Sequence, residues 1–250
     1  IKLKPNNFED IIAMIALYRP GPLEMKMVDT YIDRKNGIEK IDYSKDSEVE
    51  KILKSTYGVI VYQEQVMQLA QEFSGFTLGQ ADILRKAMGK KIPEVMESQR
   101  ESFIEGAQNK NKVKRVAEDL WDQIETFAGY GFNKSHSAAY ALISYQTAWL
   151  KSHYPSQFMA SALSSELDDT DKIKILIDDS HSLGLKINPP DINKSSKNFI
   201  SLNEENILFG LGAIKGVGDS AIENIIEERN KGEFKSCLLY TSDAADDETS

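Results

Sequence analysis

Residues 127–145, with the sequence FAGYGFNKSHSAAYALISY, restrict the fold of this chain more than any other stretch. Gly129 and Gly131 interrupt one helical pattern, and a new apolar-periodic pattern of Ala, Leu and Ile begins a few residues later. Short polar residues in front of such a pattern usually start a helix, so Asn133 or Ser135 is the predicted N-cap. The chain therefore contains a long helix that begins at a tight, aromatic-rich turn.

The turn before this helix is a candidate site for an anion. The first amide groups of a helix have no partner inside the helix, and Lys134 and His136 lie beside them in the sequence. Phosphate is the obvious ligand for such an arrangement. The alternative is an ordinary loop between helices, built from glycines, hydroxyl groups and a basic pair.

Helical periodicity covers most of the remaining chain and predicts a mainly α fold. The Arg19–Pro22 segment has two prolines around a glycine, which predicts an extended bend that presents Arg19 as a phosphate contact or as a helix-ending ion pair. Residues 57–62, YGVIVY, predict a β-strand. The other helices are expected at residues 8–18, 27–37, 63–75, 77–89, 94–106, 112–127, 156–165 and 168–184, and the long helix continues through residue 150.

The pattern changes towards the end of the chain and predicts a small second unit. Residues 185–193 and 198–210 are expected to form extended strands around turns. A Gly-x-Gly turn and an amphipathic helix follow, as in a helix-hairpin-helix, where backbone N–H groups approach a DNA phosphate closely. The spacing fits neither a dinucleotide fingerprint nor a nucleotide P-loop. The predicted DNA contacts of this turn are Lys215, Gly216, Val217 and Gly218.

Charge is distributed unevenly along the chain. The formal net charge is −9, so any contact with nucleic acid must use local patches. Residues 85–115 carry nine Lys or Arg against four Glu. These cations either stabilise the C-terminus of a helix through its dipole or bind the phosphates of a triphosphate or a nucleic acid. The cations singled out at the start of this stretch are Arg85, Lys86, Lys90 and Lys91.

Four further features indicate the kind of protein. The chain contains no run of about 18 apolar residues and no leader, so we expect a cytoplasmic protein with no membrane contact. The single cysteine, Cys237, excludes a disulfide framework and a cysteine-based metal site. The first residue, Ile1, predicts that the chain begins inside a longer protein. Residues 237–250 resemble the translation of a transposon-end adapter from a sequencing library, so we expect a non-native tail there.

Six segments carry a resemblance that extends over nearly everything from Ile1 to Ser236. They are ALYRPGPLE (16–24), YQEQVMQLAQ (62–71), LRKAMGKK (84–91), FAGYGFNKSHSAAYALISYQTAWLKSHYP (127–155), INPPDIN (187–193) and FGLGAIKGVG (209–218). In this order they resemble the C family of bacterial replicative DNA polymerases.

The resemblance implies a mainly α, multi-helix fingers domain in residues 1–150. A small α+β or helix-hairpin-helix DNA-binding unit would follow in residues 151–236. The fingers of this family hold the incoming deoxynucleoside triphosphate (dNTP), and the family often has two arginines where this chain has Arg85 and Lys86, so the contact of Lys86 differs in geometry. The predicted nucleotide-binding residues are Arg85, Lys86, Lys134, His136 and Arg19, and the further predicted DNA contacts are Lys90 and Lys91.

The implied activity is that of a DNA-directed DNA polymerase, a nucleotidyltransferase in DNA replication. A primer 3′-hydroxyl attacks the α-phosphate, and Mg²⁺ ions stabilise the attacking and leaving oxygens. The metal-binding aspartates of the family belong to the palm, so we expect no catalytic or metal-binding residue here, and no polymerisation by this piece alone. The implied partners are primer–template DNA, dNTPs and, through other regions, the sliding clamp and other replisome subunits. The alternatives are a noncatalytic helix-hairpin-helix DNA-binding module and a helical interaction scaffold.

Overall fold

The computed structural model describes residues 2–90 and 93–235. The chain divides into two compact units between residues 145 and 146, within one continuous helix. Over the described residues the fold is mainly α, as predicted. Lys91 and the segment 237–250, with Cys237, lie outside the described residues, so the predictions made for them are not addressed by the structure.

The first unit is built from helices. They are α1 (Phe8–Leu17), α2 (Pro20–Glu24), α3 (Met27–Lys35), α4 (Ser47–Leu53), α5 (Gln63–Gln68), α6 (Leu78–Lys90), α7 (Pro93–Asn109), α8 (Lys114–Ala128) and α9 (Lys134–His153). A π-helical turn, Leu69–Phe73, continues α5, and α9 extends into the second unit. Each helix that periodicity predicted in this unit is confirmed to within a few residues at its ends, whereas α2 and α4 were not predicted.

Two hydrophobic clusters form the core of the described part of this unit. The larger cluster joins α4, α5, α6, α7 and α8, and includes the fully buried rings of Phe103 and Trp121, whose centroids are 5.4 Å apart. The smaller cluster packs α1 against α3 and includes Ala141 of α9. The start of α9 therefore belongs to the smaller cluster.

Residues 57–62 are not part of a sheet, so the strand prediction was wrong. Ile60 belongs to the larger cluster and Val61 to the smaller one, so the segment runs between the two. The backbone N–H groups of Val61 and Tyr62 donate to Oε1 of the buried Gln65 at 2.9 and 3.1 Å. The run is apolar because both of its sides are buried, and its backbone is held by the Gln65 side chain and by one isolated parallel bridge between Tyr62 and Phe132.

The Arg19–Pro22 segment also differs from its prediction. Pro20 begins the short helix α2. Proline is tolerated at this position because the first N–H groups of a helix have no partner inside the helix. Arg19 is extended, with φ −140° and ψ 156°, as the residue before a proline prefers. A Cβ on Gly21 would lie 2.0 Å from Cε1 of Tyr130. The segment is therefore the start of a helix that packs directly against the turn before α9.

The second unit combines helices with a small sheet. Its other elements are α10 (Pro155–Ser164), α11 (Thr170–Ser182), β1 (Lys186–Asn188), β2 (Ile200–Ser201), β3 (Asn206–Leu208) and α12 (Asp219–Lys231). The central strand β3 is parallel to β1 and antiparallel to β2. Met159, Leu163 and Ile207 are fully buried where α10 covers the sheet. No helix in residues 2–90 and 93–235 is both long and apolar enough to cross a membrane.

Candidate functional site

The start of α9 is held by two side chains. Asn133 acts as the N-cap, since its Oδ1 accepts the N–H of His136 at 2.9 Å. Glu64, in the first turn of α5, accepts the N–H of Lys134 with both carboxylate oxygens, at 3.0 and 3.1 Å. Glu64 also accepts a hydrogen bond from Nδ2 of Asn133 at 2.8 Å. The expectation of free amide groups at this helix start was therefore wrong for Lys134, whose N–H is bound to a carboxylate of the same chain.

The side chain of Lys134 is paired as well. Its Nζ lies 2.9 Å from Oε2 of Glu9, in the first turn of α1, and 5.3 Å from the centroid of the Tyr62 ring. The Lys134 side chain keeps 37% of its surface exposed. An anion in solution can therefore reach it, but must compete with Glu9.

A cavity of about 480 Å³ lies beside the start of α9. Lys134, Glu64 and Tyr62 line it, together with residues of α4 and α5. The hydroxyl of Tyr62 is buried and has no hydrogen-bond partner in the part of the chain that the structure describes. Burial, reinforced by the charges of Glu9 and Glu64, raises the pKa of Tyr62, so the hydroxyl keeps its proton. One residue that lines the cavity therefore carries a buried, protonated donor without an acceptor among the described residues.

His136 belongs to a row of neighbouring side chains that meet edge-on or tilted rather than face to face. The guanidinium carbon of Arg19 lies 4.4 Å from the centroid of the Phe132 ring, and the Phe132 and His136 centroids are 5.3 Å apart. The row continues to Tyr140, 4.8 Å from His136, and the side chains of His136 and Tyr140 are exposed. Exposed aromatic rings in a row are surfaces on which a base can stack.

Arg19 connects neighbouring segments of the first unit through hydrogen bonds to backbone carbonyl groups. Its Nε donates to the carbonyl oxygen of Ala16 and one of its Nη atoms to that of Tyr130, both at 2.7 Å. Burial lowers the pKa of Arg19, although an arginine stays charged. These contacts join the end of α1 to the turn before α9, which is a structural role. A nucleotide contact by Arg19 stays a prediction.

Arg85 and Lys86 form a separate cationic pair on α6. Nε and one Nη of Arg85 donate to Oδ1 of Asp82 at 2.9 and 2.7 Å, and Nζ of Lys86 lies 2.7 Å from Oδ2. The hydrogen bonds from Lys86 and Arg85 hold the pKa of Asp82 below its usual range. Lys90, the last residue of α6, is exposed. Lys134 lines the cavity beside α9, whereas His136, Arg85 and Lys86 do not.

The predicted hairpin of the second unit joins the 3₁₀ turn Leu211–Ala213 to α12. Gly216 has φ +90°, a left-handed conformation that favours glycine, and Gly218 caps α12. A Cβ added to either glycine would meet no described atom within 4 Å. The side chain of Lys215 is exposed and Val217 is half-buried. The hairpin backbone is therefore open to close approach from outside.

The acidic partners of these cations were not predicted from the sequence. Asp82 could have been assigned, because it lies three and four residues before Arg85 and Lys86 on one helix. The carboxylates of Glu64 and Glu9 could not, since they come from helices that only the tertiary fold brings to α9.

Comparisons with known proteins match both units. Residues 1–111 match the bacterial DNA polymerase III alpha subunit finger domain, and residues 184–245 match a helix-hairpin-helix motif. The second match runs past residue 237, into the segment predicted to be non-native, whose origin stays a prediction.

Curated relatives match nearly the whole chain. The DNA polymerase III alpha subunits of Campylobacter jejuni, Escherichia coli K12 and Pasteurella multocida are 55%, 54% and 57% identical to it over 237 residues. These matches cover 94%, 93% and 92% of this chain, respectively, and 20% of each relative. The chain thus spans about a fifth of the length of these relatives.

Proposed function

Because this chain belongs to the bacterial DNA polymerase III alpha subunit family, we propose that it positions the incoming dNTP and the adjoining primer–template for a DNA-directed DNA polymerase. The observation that carries the proposal is the turn at the start of α9. There, a helix N-terminus with Lys134 lies next to the exposed rings of His136 and Tyr140. A nucleotide needs both kinds of surface side by side, one for its phosphates and one for its base or sugar.

In this proposal the chain binds and orients the substrate. Lys134 and the pair Arg85–Lys86 neutralise the triphosphate, and their fixed charges stabilise the pyrophosphate as it leaves. The primer 3′-hydroxyl attacks the α-phosphate, the bond between the α- and β-phosphates breaks, and pyrophosphate departs. His136 supports the base or sugar through its ring and needs no change of protonation for this role.

The metal ions of the reaction need carboxylate ligands. Over the described ranges, no three His, Cys, Asp or Glu side chains are grouped so that they could hold a metal ion. These residues therefore do not fit a Mg²⁺ site, and we derive no step through a metal from them. Our prediction that the ligands of Mg²⁺ belong to another region of the full-length protein stays a prediction.

In the second unit, we assign the DNA backbone to the hairpin. The open backbone at Gly216 and Gly218, with Lys215 beside it, supports close approach of a phosphate. The same feature favours the alternative function, a noncatalytic DNA-binding module. The two functions differ in whether the cations of the first unit act on nucleotide or on DNA.

The test substitutes the cations of the first unit in the full-length polymerase that carries this sequence. Lys134→Ala and Arg85→Ala should each raise the KM for dNTP in primer extension by roughly ten-fold or more, the value of a lost charge-assisted hydrogen bond. The Kd for primer–template should stay within about two-fold of wild type, because in this proposal Lys134 and Arg85 contact the dNTP and not the DNA.

Arg115→Ala is the matched control. The side chain of Arg115 is 88% exposed and lies 3.9 Å from its nearest carboxylate, so its loss should change neither constant. If the two test variants weaken primer–template binding and leave the KM for dNTP unchanged, the noncatalytic module is the better description of this chain.

A further inference from the structure

The cations proposed for the triphosphate are already paired with carboxylates of this chain. Asp82 binds Arg85 and Lys86, and Glu9 binds Nζ of Lys134. Glu64 differs from these two acids because it binds a backbone N–H of α9 and the Asn133 amide rather than a cationic side chain. It therefore occupies the position at which a helix N-terminus would hold a phosphate.

Glu64 and a phosphate cannot use this position together. The single hydrogen of the Lys134 amide is shared between both carboxylate oxygens of Glu64, and Asn133 donates to the same group. A phosphate oxygen could bind that amide only after Glu64 has left. Repulsion between two anions at one helix start acts in the same direction.

A second observation points to a ligand at the same place. Tyr62 is 1% exposed, it lines the cavity with Glu64 and Lys134, and its hydroxyl is without a hydrogen-bond partner among the described residues. A buried hydroxyl without an acceptor costs free energy, and functional sites are where such costs are tolerated. A phosphate oxygen that replaces Glu64 would bring an acceptor into this cavity.

We propose that Glu64 is an internal counter-anion that holds the start of α9 in the absence of nucleotide and is displaced by the triphosphate. This inference rests on the proposed function, since it assumes that a nucleotide binds at this turn. Glu64 sets the nucleotide affinity because each binding event must first break its contacts with Asn133 and Lys134. It is a positioning residue, not a catalytic one.

The test compares two variants of equal charge in the full-length polymerase. Glu64→Gln keeps an oxygen that accepts from Lys134 but removes the charge that competes with phosphate. Glu72→Gln removes the same charge from the lining of the same cavity and serves as the control. The probe is dATP with Mg²⁺, bound to a complex with a dideoxy-terminated primer–template, and the Kd is read from a titration. Steady-state KM and kcat are measured with an extendable primer.

Glu64→Gln should lower the Kd and the KM for dATP by roughly three-fold, as expected for one charge near a helix N-terminus, and leave kcat unchanged. Glu72→Gln should leave all three constants unchanged. An unchanged or higher Kd in Glu64→Gln would mean that Glu64 only caps the helix. Equal effects of Glu64→Gln and Glu72→Gln would mean that Glu64 acts only as one of several negative charges near the cavity. Either result overturns this inference while the proposed function stands. If Lys134→Ala also has no effect on the use of dNTP, nucleotide binding at this turn is itself disproved.

Discussion

At Gly106 of α7, the carbonyl oxygen of Ser74 lies where a side chain would begin. A Cβ on Gly106 would be 2.2 Å from that oxygen. Ser74 is 3% exposed and follows the π-helical turn after α5, so its backbone is fixed by the larger core cluster. Because the close contact is to a backbone atom, no rotation of a side chain can relieve it.

Gly106→Ala should therefore destabilise the fold, although alanine favours a helix. We expect a loss of about 1–3 kcal/mol in the free energy of unfolding, the cost of overpacking a close contact. Gly79→Ala is the matched control, because Gly79 is in α6 and a Cβ there meets no described atom within 4 Å. It should be neutral or stabilising by up to about 1 kcal/mol. Urea denaturation measures both, and equal effects would contradict the assigned contact.

Helices α1 and α3 are joined through one buried carboxylate. Asp10 lies 3.0 Å from Nζ of Lys35 and accepts hydrogen bonds from the hydroxyls of Tyr31 and Tyr57 at 3.2 and 3.1 Å. Burial alone would raise the pKa of Asp10. The hydrogen bonds and the charge of Lys35 outweigh burial, and hold this pKa below its usual range. The ionised form of Asp10 therefore stabilises the folded state.

The ion pair between Asp10 and Lys35 predicts how the free energy of unfolding depends on pH. Because the pKa of Asp10 is lower in the folded state than in the unfolded one, its contribution is present above about pH 4 and is lost as the pH falls further. Asp10→Asn leaves the buried Lys35 without its counter-ion and should cost about 3–5 kcal/mol at pH 7.

The control for the pair is Tyr31→Phe, which removes one hydrogen bond to the same carboxylate but keeps the ion pair, and should cost only about 1 kcal/mol at pH 7. Urea unfolding at pH 7 and pH 3 measures both variants. The difference between wild type and Asp10→Asn should shrink at pH 3, and a difference that is the same at both values would refute the role of the ionised carboxylate.

Over the whole molecule, acidic residues outnumber basic ones by 39 to 30. A polyanion such as DNA is therefore repelled by the chain as a whole and must be held by local contacts. In the second unit, Lys215 and the open backbone at Gly218 supply such a contact, at a turn where neither Gly216 nor Gly218 projects a side chain.

Gly218→Val should weaken binding of duplex DNA because its branched side chain blocks the approach of a phosphate to the N-terminus of α12. Lys215→Ala should reduce the slope of log Kd against log salt by about one. Gly232→Val, at the other end of α12, is the control, since its backbone is extended and a Cβ there also meets no described atom within 4 Å. Fluorescence anisotropy with duplex DNA at several salt concentrations would measure all three. Equal losses for Gly218→Val and Gly232→Val would exclude the hairpin as the contact.

The amino-acid sequence by itself determined most of the helices, though not α2 or α4, and the position of the turn before α9. Helical periodicity and helix caps act over a few residues, so they can be read locally, and Asn133 is the one of the two predicted candidates, Asn133 and Ser135, that caps α9. The run at residues 57–62 was misread because a segment buried on both sides has the same composition as a strand in a sheet.

Only the tertiary structure decided which charges meet at the start of α9. Glu64 and Glu9 are remote from Lys134 in the chain, and the packing of α1 and α5 against the start of α9 brings them to it. Local patterns could identify groups able to bind an anion, but not the carboxylates that already occupy them. The physical reason is that hydrogen bonds and ion pairs depend on distance in space, which periodicity along the chain does not specify.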